Sequence, residues 1–216
     1  MPAFMFSRQP DALTWFGNGP GGRLLAVERP WVAAALKARA PQPWLWLGPA
    51  AQELSPGPSP RGIQLHRQAH GFTGSVRCDL PLPLPTEAIC AVVLQHALET
   101  GHDDLLAECA RVLEPGGHLW LFTLNPWSPY RARWRGLDMV IHDAVGWRER
   151  LRGAGLQPAG REIRYLGPVW RTKSDGMGPA PSRLRAICLL EAEKRVAALI
   201  PPSPAQRPWR TDAAPA

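Results

Sequence analysis

Two side chains suited to acid–base chemistry follow the most apolar run of the sequence. In "AICAVVLQHAL" (88–98) a buried-strand pattern, Ile89 to Leu94, ends on Gln95 and His96. An imidazole titrates near neutrality, so His96 is the candidate general base at the mouth of whatever cleft that strand opens into. The competing reading is a packing or hydrogen-bonding histidine that starts the next helix. Glu99, on the same short segment, reads as solvated. His102, Asp103 and Asp104 are consecutive at a helix start, where capping and the helix dipole favour acidic residues, so they read as a cap and no metal site is expected. The four cysteines, Cys78, Cys90, Cys109 and Cys188, form no CxxC pair and suit reduced thiols in the cytosol.

A second group lies in "NPWSPYRARWR" (125–135), where Asn125, Trp127 and Tyr130 precede Arg131, Arg133 and Arg135. Arg148 and Arg150 follow. Guanidinium groups could hold an anionic acceptor or a phosphate backbone, and the aromatic rings could line the acceptor side. The charge supports this unevenly. Of the net +7, residues 131–173 contribute 10 Lys/Arg against 4 Asp/Glu. Arg also outnumbers Lys by 22 to 3, which a GC-rich coding sequence produces without functional demand. Nucleic acid therefore stays a minor alternative as a partner, behind a small-molecule acceptor.

The elements that must position these groups are legible as a pattern. A chain of 216 residues suits one domain with a sizeable core. The 25 Pro and 20 Gly imply long irregular connections. No apolar run is long enough to span a membrane, and the start shows no secretion leader. Residues 1–21 read as an irregular arm, 22–200 as the domain and 201–216 as a disordered tail; the Gly/Pro-rich stretch 176–181 reads as a loop or lid. Apolar residues at helical spacing predict a helix over 22–40, kinked or split at Pro30. "WLWLG" (44–48), "GIQLHRQ" (62–68), a short piece of 74–85, 89–94, "HLWLFTL" (118–124), a segment near 161–167 and a final strand in "SRLRAICLLEAEKRV" (182–196) read as strands. Helices are expected at 103–113 and 144–156. Alternation of this kind predicts an α/β, doubly wound, mostly parallel sheet with helices on both faces, binding ligands at the carboxyl ends of its strands.

The block from Asp79 to Ser128 narrows this further. "DLPLPLPTEAICAVVLQHALE" followed by "LLAECARVLEPGGHLWLFTLNPWS" resembles the second half of a class I S-adenosylmethionine-dependent methyltransferase domain. The "NPWS" phrase is similar to a small proteobacterial branch of that family. The resemblance implies a seven-stranded Rossmann-like sheet, S-adenosylmethionine as cofactor, and methyl transfer to an unidentified acceptor, an anionic one being an option. It assigns Gly48, Gln68, Asp79, Leu80 and Gln95 to the cofactor. Gly48 is what survives of a glycine-rich turn, and Pro49 removes one N–H donor there. Gln68 stands where the family has a ribose-binding carboxylate. Asp79 matches the residue that meets the adenine amino group, and Leu80 would lie on the ring. His96 would sit beside the transferable methyl group, with Asn125, Trp127, Tyr130 and Arg131 on the acceptor side. Asn125-Pro126-Trp127 also resembles, without its second Pro, the Asn-Pro-Pro-aromatic motif of nucleic-acid amino-methyltransferases. The thinned cofactor motifs keep a second option open, a catalytically inactive binding module of the same fold.

Overall fold

A computed structural model of the chain describes residues 12–39, 41–52, 61–68, 70–101, 103–160, 163–170 and 182–195. The calls on residues 176–181 and 201–216 fall outside them.

The sheet is built on two strands buried on both faces, β1 (Trp44–Gly48) and β4 (Ile89–Gln95). Continuous apolar runs of this kind can only sit in the middle of a sheet covered on both sides. Their side chains alternate: Leu45, Leu47, Val92 and Leu94 enter one core, while Trp44, Trp46, Ala91 and Val93 enter the other. β2 (Gly62–Arg67), β1, β4 and β5 (Leu113–Leu124) run parallel. β8 (Ile187–Lys194) closes antiparallel on β5, and carries both β6 (Leu156–Pro158) and β7 (Arg164–Leu166). With β3 (Phe72–Gly74) the order is β3-β2-β1-β4-β5-β8-β6, with β7 off this path. The doubly wound class holds, with eight strands among the described residues where seven were expected.

Helices α3 (Asp103–Val112) and α4 (Ala144–Gly153) supply Leu105, Leu106, Cys109, Trp147 and Leu151 to the first core. The second face is covered by α1 (Ala12–Gly17) and α2 (Gly19–Lys37). The arm expected to be irregular through residue 21 is thus helical from Ala12. Its adjacent Trp15 and Phe16 bury themselves, and six residues are too few to show a period in sequence. Gly21 permits the close approach of the two helices, since a Cβ there would lie 2.4 Å from the Trp15 carbonyl. Pro30 lies inside α2 and does not split it. The amide it lacks would have met the carbonyl of Ala26, and both residues are on the exposed side, where water can replace the lost bond.

The sheet edge departs from the expected winding. β2 turns straight back into β3, which pairs with it antiparallel, Leu65 opposite Gly74 and Arg67 opposite Phe72. Gln68 N–H donates to Gly71 O at 3.0 Å to close the turn, so no helix separates these strands. The strand expected within 74–85 therefore ends at Gly74, with only Cys78 bridging back to Phe72. No described helix is long and apolar enough to cross a membrane.

Candidate functional site

The carboxyl ends of β1, β4 and β5 converge on a buried polar chain. Trp46 Nε1 donates to Gln95 Oε1 at 3.1 Å, and the same oxygen accepts from Gln52 Nε2 at 2.7 Å. Gln95 Nε2 donates to Glu28 Oε2 at 2.6 Å. Glu28 Oε1 meets His96 Nε2 at 2.7 Å, and His96 Nδ1 meets Glu99 Oε2 at 2.5 Å. Glu99 Oε1 then accepts from the backbone N–H of Leu124. Glu28, Gln95, His96 and Glu99 are all buried, and the Phe16 ring stacks on the imidazole at 4.7 Å. His96 adopts φ +50°, which turns the chain sharply out of β4 and aims the ring toward α2.

This geometry favours the charged form of His96. Burial alone would lower its pKa, but the charges of Glu28 and Glu99, and the hydrogen bonds to both, outweigh that and push it up to about 10. At neutral pH the ring is an imidazolium that donates from both nitrogens. The general-base role expected for His96 is therefore withdrawn: it has no free nitrogen to accept a proton. Glu99, expected to be solvated, is the second clamp. Three buried charges need mutual pairing because an isolated one would carry an uncompensated desolvation cost.

The methionine end of the expected cofactor site lies at Gly48. A Cβ built there would meet Ala50 O at 3.6 Å and the Gln52 and Gln95 amides at 3.7 Å, ordinary contacts that leave room without requiring glycine. Gln52, which the sequence reading passed over, lays its amide across this point. Its backbone carbonyl accepts from Gln64 Nε2 at 2.5 Å. Its side-chain Oε1 is buried with no hydrogen-bond partner. Among the described residues at these strand ends, Gln52 Oε1 and Thr123 Oγ1 are the buried side-chain atoms without a hydrogen-bond partner.

The residues expected at the adenine end lie at the sheet edge. Gln68 is exposed at the end of β2, and Asp79 is exposed beside the Gln68–Gly71 turn. The Asp79 carboxylate approaches Gly71 so closely that a Cβ there would lie 1.9 Å from Oδ1, and Gly71 also has φ +69°. Both facts demand glycine. Leu80 packs, half-buried, on the first core. The structure thus brings Gln68, Asp79 and Leu80 to one edge and Gly48 and Gln95 to the strand ends.

The four residues expected on the acceptor side divide. Asn125 is buried, donating from Nδ2 to the carbonyls of Arg183 (2.8 Å) and Arg185 (2.7 Å) and accepting from Trp127 N–H at 3.1 Å. Its amide is used up inside the protein, so it cannot present itself to a base, and the nucleic-acid amino-methyltransferase motif loses its key group. Tyr130 is also buried, its hydroxyl 3.5 Å from Pro20 O. Trp127 and Arg131, by contrast, line a cavity of about 340 Å³ together with Arg135 and Trp170. Trp170 could not be singled out in sequence because nothing local distinguishes it from the other tryptophans.

The fold is that of the class I S-adenosylmethionine-dependent methyltransferases. In sequence, residues 49–121 match the family model described as a methyltransferase domain. A search of curated proteins finds no match. Among solved structures, the chain is similar to the putative methyltransferase of Haloferax volcanii solved with the Trm112 activator, at 20% identity and TM-score 0.54, over 86% of this chain and 99% of that one. The geranyl diphosphate C-methyltransferase of Streptomyces coelicolor, solved with Mg2+, geranyl diphosphate and S-adenosyl-L-homocysteine, is 15% identical at TM-score 0.51 over 81% and 78%. The [4+2]-cyclase SpnF is 20% identical at TM-score 0.51 over 82% of each chain. At these identities the likeness concerns the fold, and a fold that hosts a cyclase as well as methyltransferases does not fix the reaction.

Proposed function

We propose that the chain transfers a methyl group from S-adenosylmethionine to a small-molecule acceptor that approaches over the end of β5. The observation that carries this reading is the buried, unpartnered Oε1 of Gln52, whose amide lies beside Gly48, an acceptor suited to the ammonium of the cofactor's methionine end. The family-model match over 49–121 and the S-adenosyl-L-homocysteine held by the Streptomyces enzyme support the same cofactor. Gln68 would take a ribose hydroxyl, Asp79 the adenine amino group and Leu80 the ring face. When bound, S-adenosylmethionine supplies an electrophilic methyl group on a sulfonium.

The protein's own share is positioning. Gln95 is held by Trp46, Gln52 and Glu28, which fixes the wall at the end of β4. Phe16 and α2 keep water from the His96 cluster. With His96 protonated, the acceptor must be nucleophilic without a base from this cluster, and orientation carries the rate. Four free cysteines suit a reducing compartment.

One observation favours a second reading, a binding module without catalysis: the Gln52 amide already donates to Gln95 across the methionine end. Thermal melts with S-adenosylmethionine and S-adenosylhomocysteine separate the two. An upward shift, lost in Asp79→Ala and weakened several-fold in Gln52→Ala, supports the first. No shift at millimolar ligand, or tighter binding in Gln52→Ala, supports the second.

A further inference from the structure

The two most exposed large apolar side chains among the described residues are Trp127, 70% exposed, and Trp170, 65% exposed. They come from segments far apart in sequence, yet both line the same cavity of about 340 Å³, with Arg131 and Arg135. Exposing one tryptophan is unremarkable in a protein surface, but gathering two around a concave space the size of a small ligand suggests a binding role. Every other described tryptophan except Trp31 is buried.

The cavity is also held in shape. Asn125 anchors the loop after β5 to the chain entering β8, and its Oδ1 fixes the backbone of Trp127. Ser128 Oγ accepts from Tyr130 N–H at 3.2 Å and starts the short turn that carries Arg131. Arg131 makes one long contact, Nη1 to Pro126 O at 3.3 Å, which leaves most of its donors for a ligand. Residues 125–135 contain three arginines and no acidic residue, so the rim is cationic.

We propose that this cavity binds a planar organic anion, its ring against Trp127 and Trp170 and its phosphate or carboxylate on Arg131 and Arg135. Indole faces stack on flat rings of any identity, and guanidinium forks match planar or tetrahedral oxyanions. As the acceptor site, this rests on the methyl-transfer reading above; as a binding site it does not. A cavity of this size takes one ring and one anionic group, which favours a small molecule over a nucleic-acid strand.

The test is a calorimetric titration of the full chain with naphthyl phosphate, with and without saturating S-adenosylhomocysteine. Binding is expected, weakened roughly fivefold or more in Trp127→Leu and in Trp170→Leu. Arg135→Gln should weaken naphthyl phosphate about tenfold while leaving naphthol unchanged. Absence of binding, or equal binding in all three variants, overturns the proposal. A decathymidylate that binds more tightly than naphthyl phosphate and is released steeply by salt also overturns it, in favour of single-stranded nucleic acid. S-adenosylhomocysteine binding without naphthyl phosphate binding would remove the cavity and keep the cofactor site, and the reverse result would do the opposite.

Discussion

The side-chain polar atoms of Glu28, Gln95, His96 and Glu99 are all partnered and buried, whereas Trp127 and Trp170, which line the cavity with Arg131 and Arg135, keep most of their surface exposed. Glu28, Gln95, His96 and Glu99 spend both of their polar atoms on one another, on Trp46 and Gln52, or on the Leu124 amide. Trp127 and Trp170 remain largely exposed. His96, the residue that looks reactive in sequence, thus sits in a strut tying α2 to the strand ends. Trp127, Arg131 and Arg135, read in sequence as an acceptor-side group, line the surface cavity with Trp170. Gln52 stands between the two, with its nitrogen committed and its oxygen open.

The contrast breaks most visibly at Glu28. Glu28→Ala leaves the imidazolium with one carboxylate and strands the Gln95 amide, and should cost about 3–5 kcal/mol in chemical denaturation. Glu28→Gln should cost less, since an amide can still accept from one neighbour. A loss below about 1 kcal/mol for Glu28→Ala would show that the cluster is not a strut.

The next largest effect links the two regions. Asn125→Ala removes three part-buried hydrogen bonds, two of them to the Arg183 and Arg185 carbonyls, at an expected cost of about 2–3 kcal/mol. Because Trp127 hangs from the same amide, naphthyl phosphate should also bind less tightly, whereas Glu28→Ala should leave that affinity unchanged in protein that stays folded. Equal effects of both variants on the ligand would erase the distinction between strut and cavity.

How much of this could be read from sequence depends on the range of the contacts. β1 and β4 were legible because strands buried on both faces appear as unbroken apolar runs. Glu28 carried a signal too: it falls on the stripe Leu24, Val32 and Leu36 at helical spacing, and an acid on an apolar stripe must find a buried partner. Its partners lie 67 and 68 positions away, so their identity could not be inferred. Asn125 bonds to carbonyls 58 and 60 positions on, and no local pattern announces that. The hairpin of β2 and β3 was misread because the expected α/β alternation favoured a crossover, while the turn is set by Gly71 and its contact with Asp79. Gly48, Gln68, Asp79 and Leu80 were assigned to the cofactor through the family resemblance alone, since none of them stands out by composition or spacing.

The smallest effect isolates His96 by pH. Its folded pKa is pushed up to about 10, above the ordinary 6.5, so the folded state keeps a proton that the unfolded chain releases. The stability this contributes is fully present below about pH 6.5 and declines as pH rises, until it is lost through about pH 10. Burial also raises the thiols of Cys109 and Cys188, which would add losses of the same sign once unfolded thiols ionise near pH 9. The clean window is therefore pH 6.5 to 8, where the unfolding free energy should fall by about 1.5 kcal/mol. His96→Gln should flatten that slope, although it lowers stability at every pH. A wild-type profile that is level across this window would mean that the imidazole is neutral between its two carboxylates, and would reopen the search for a base at the end of β4.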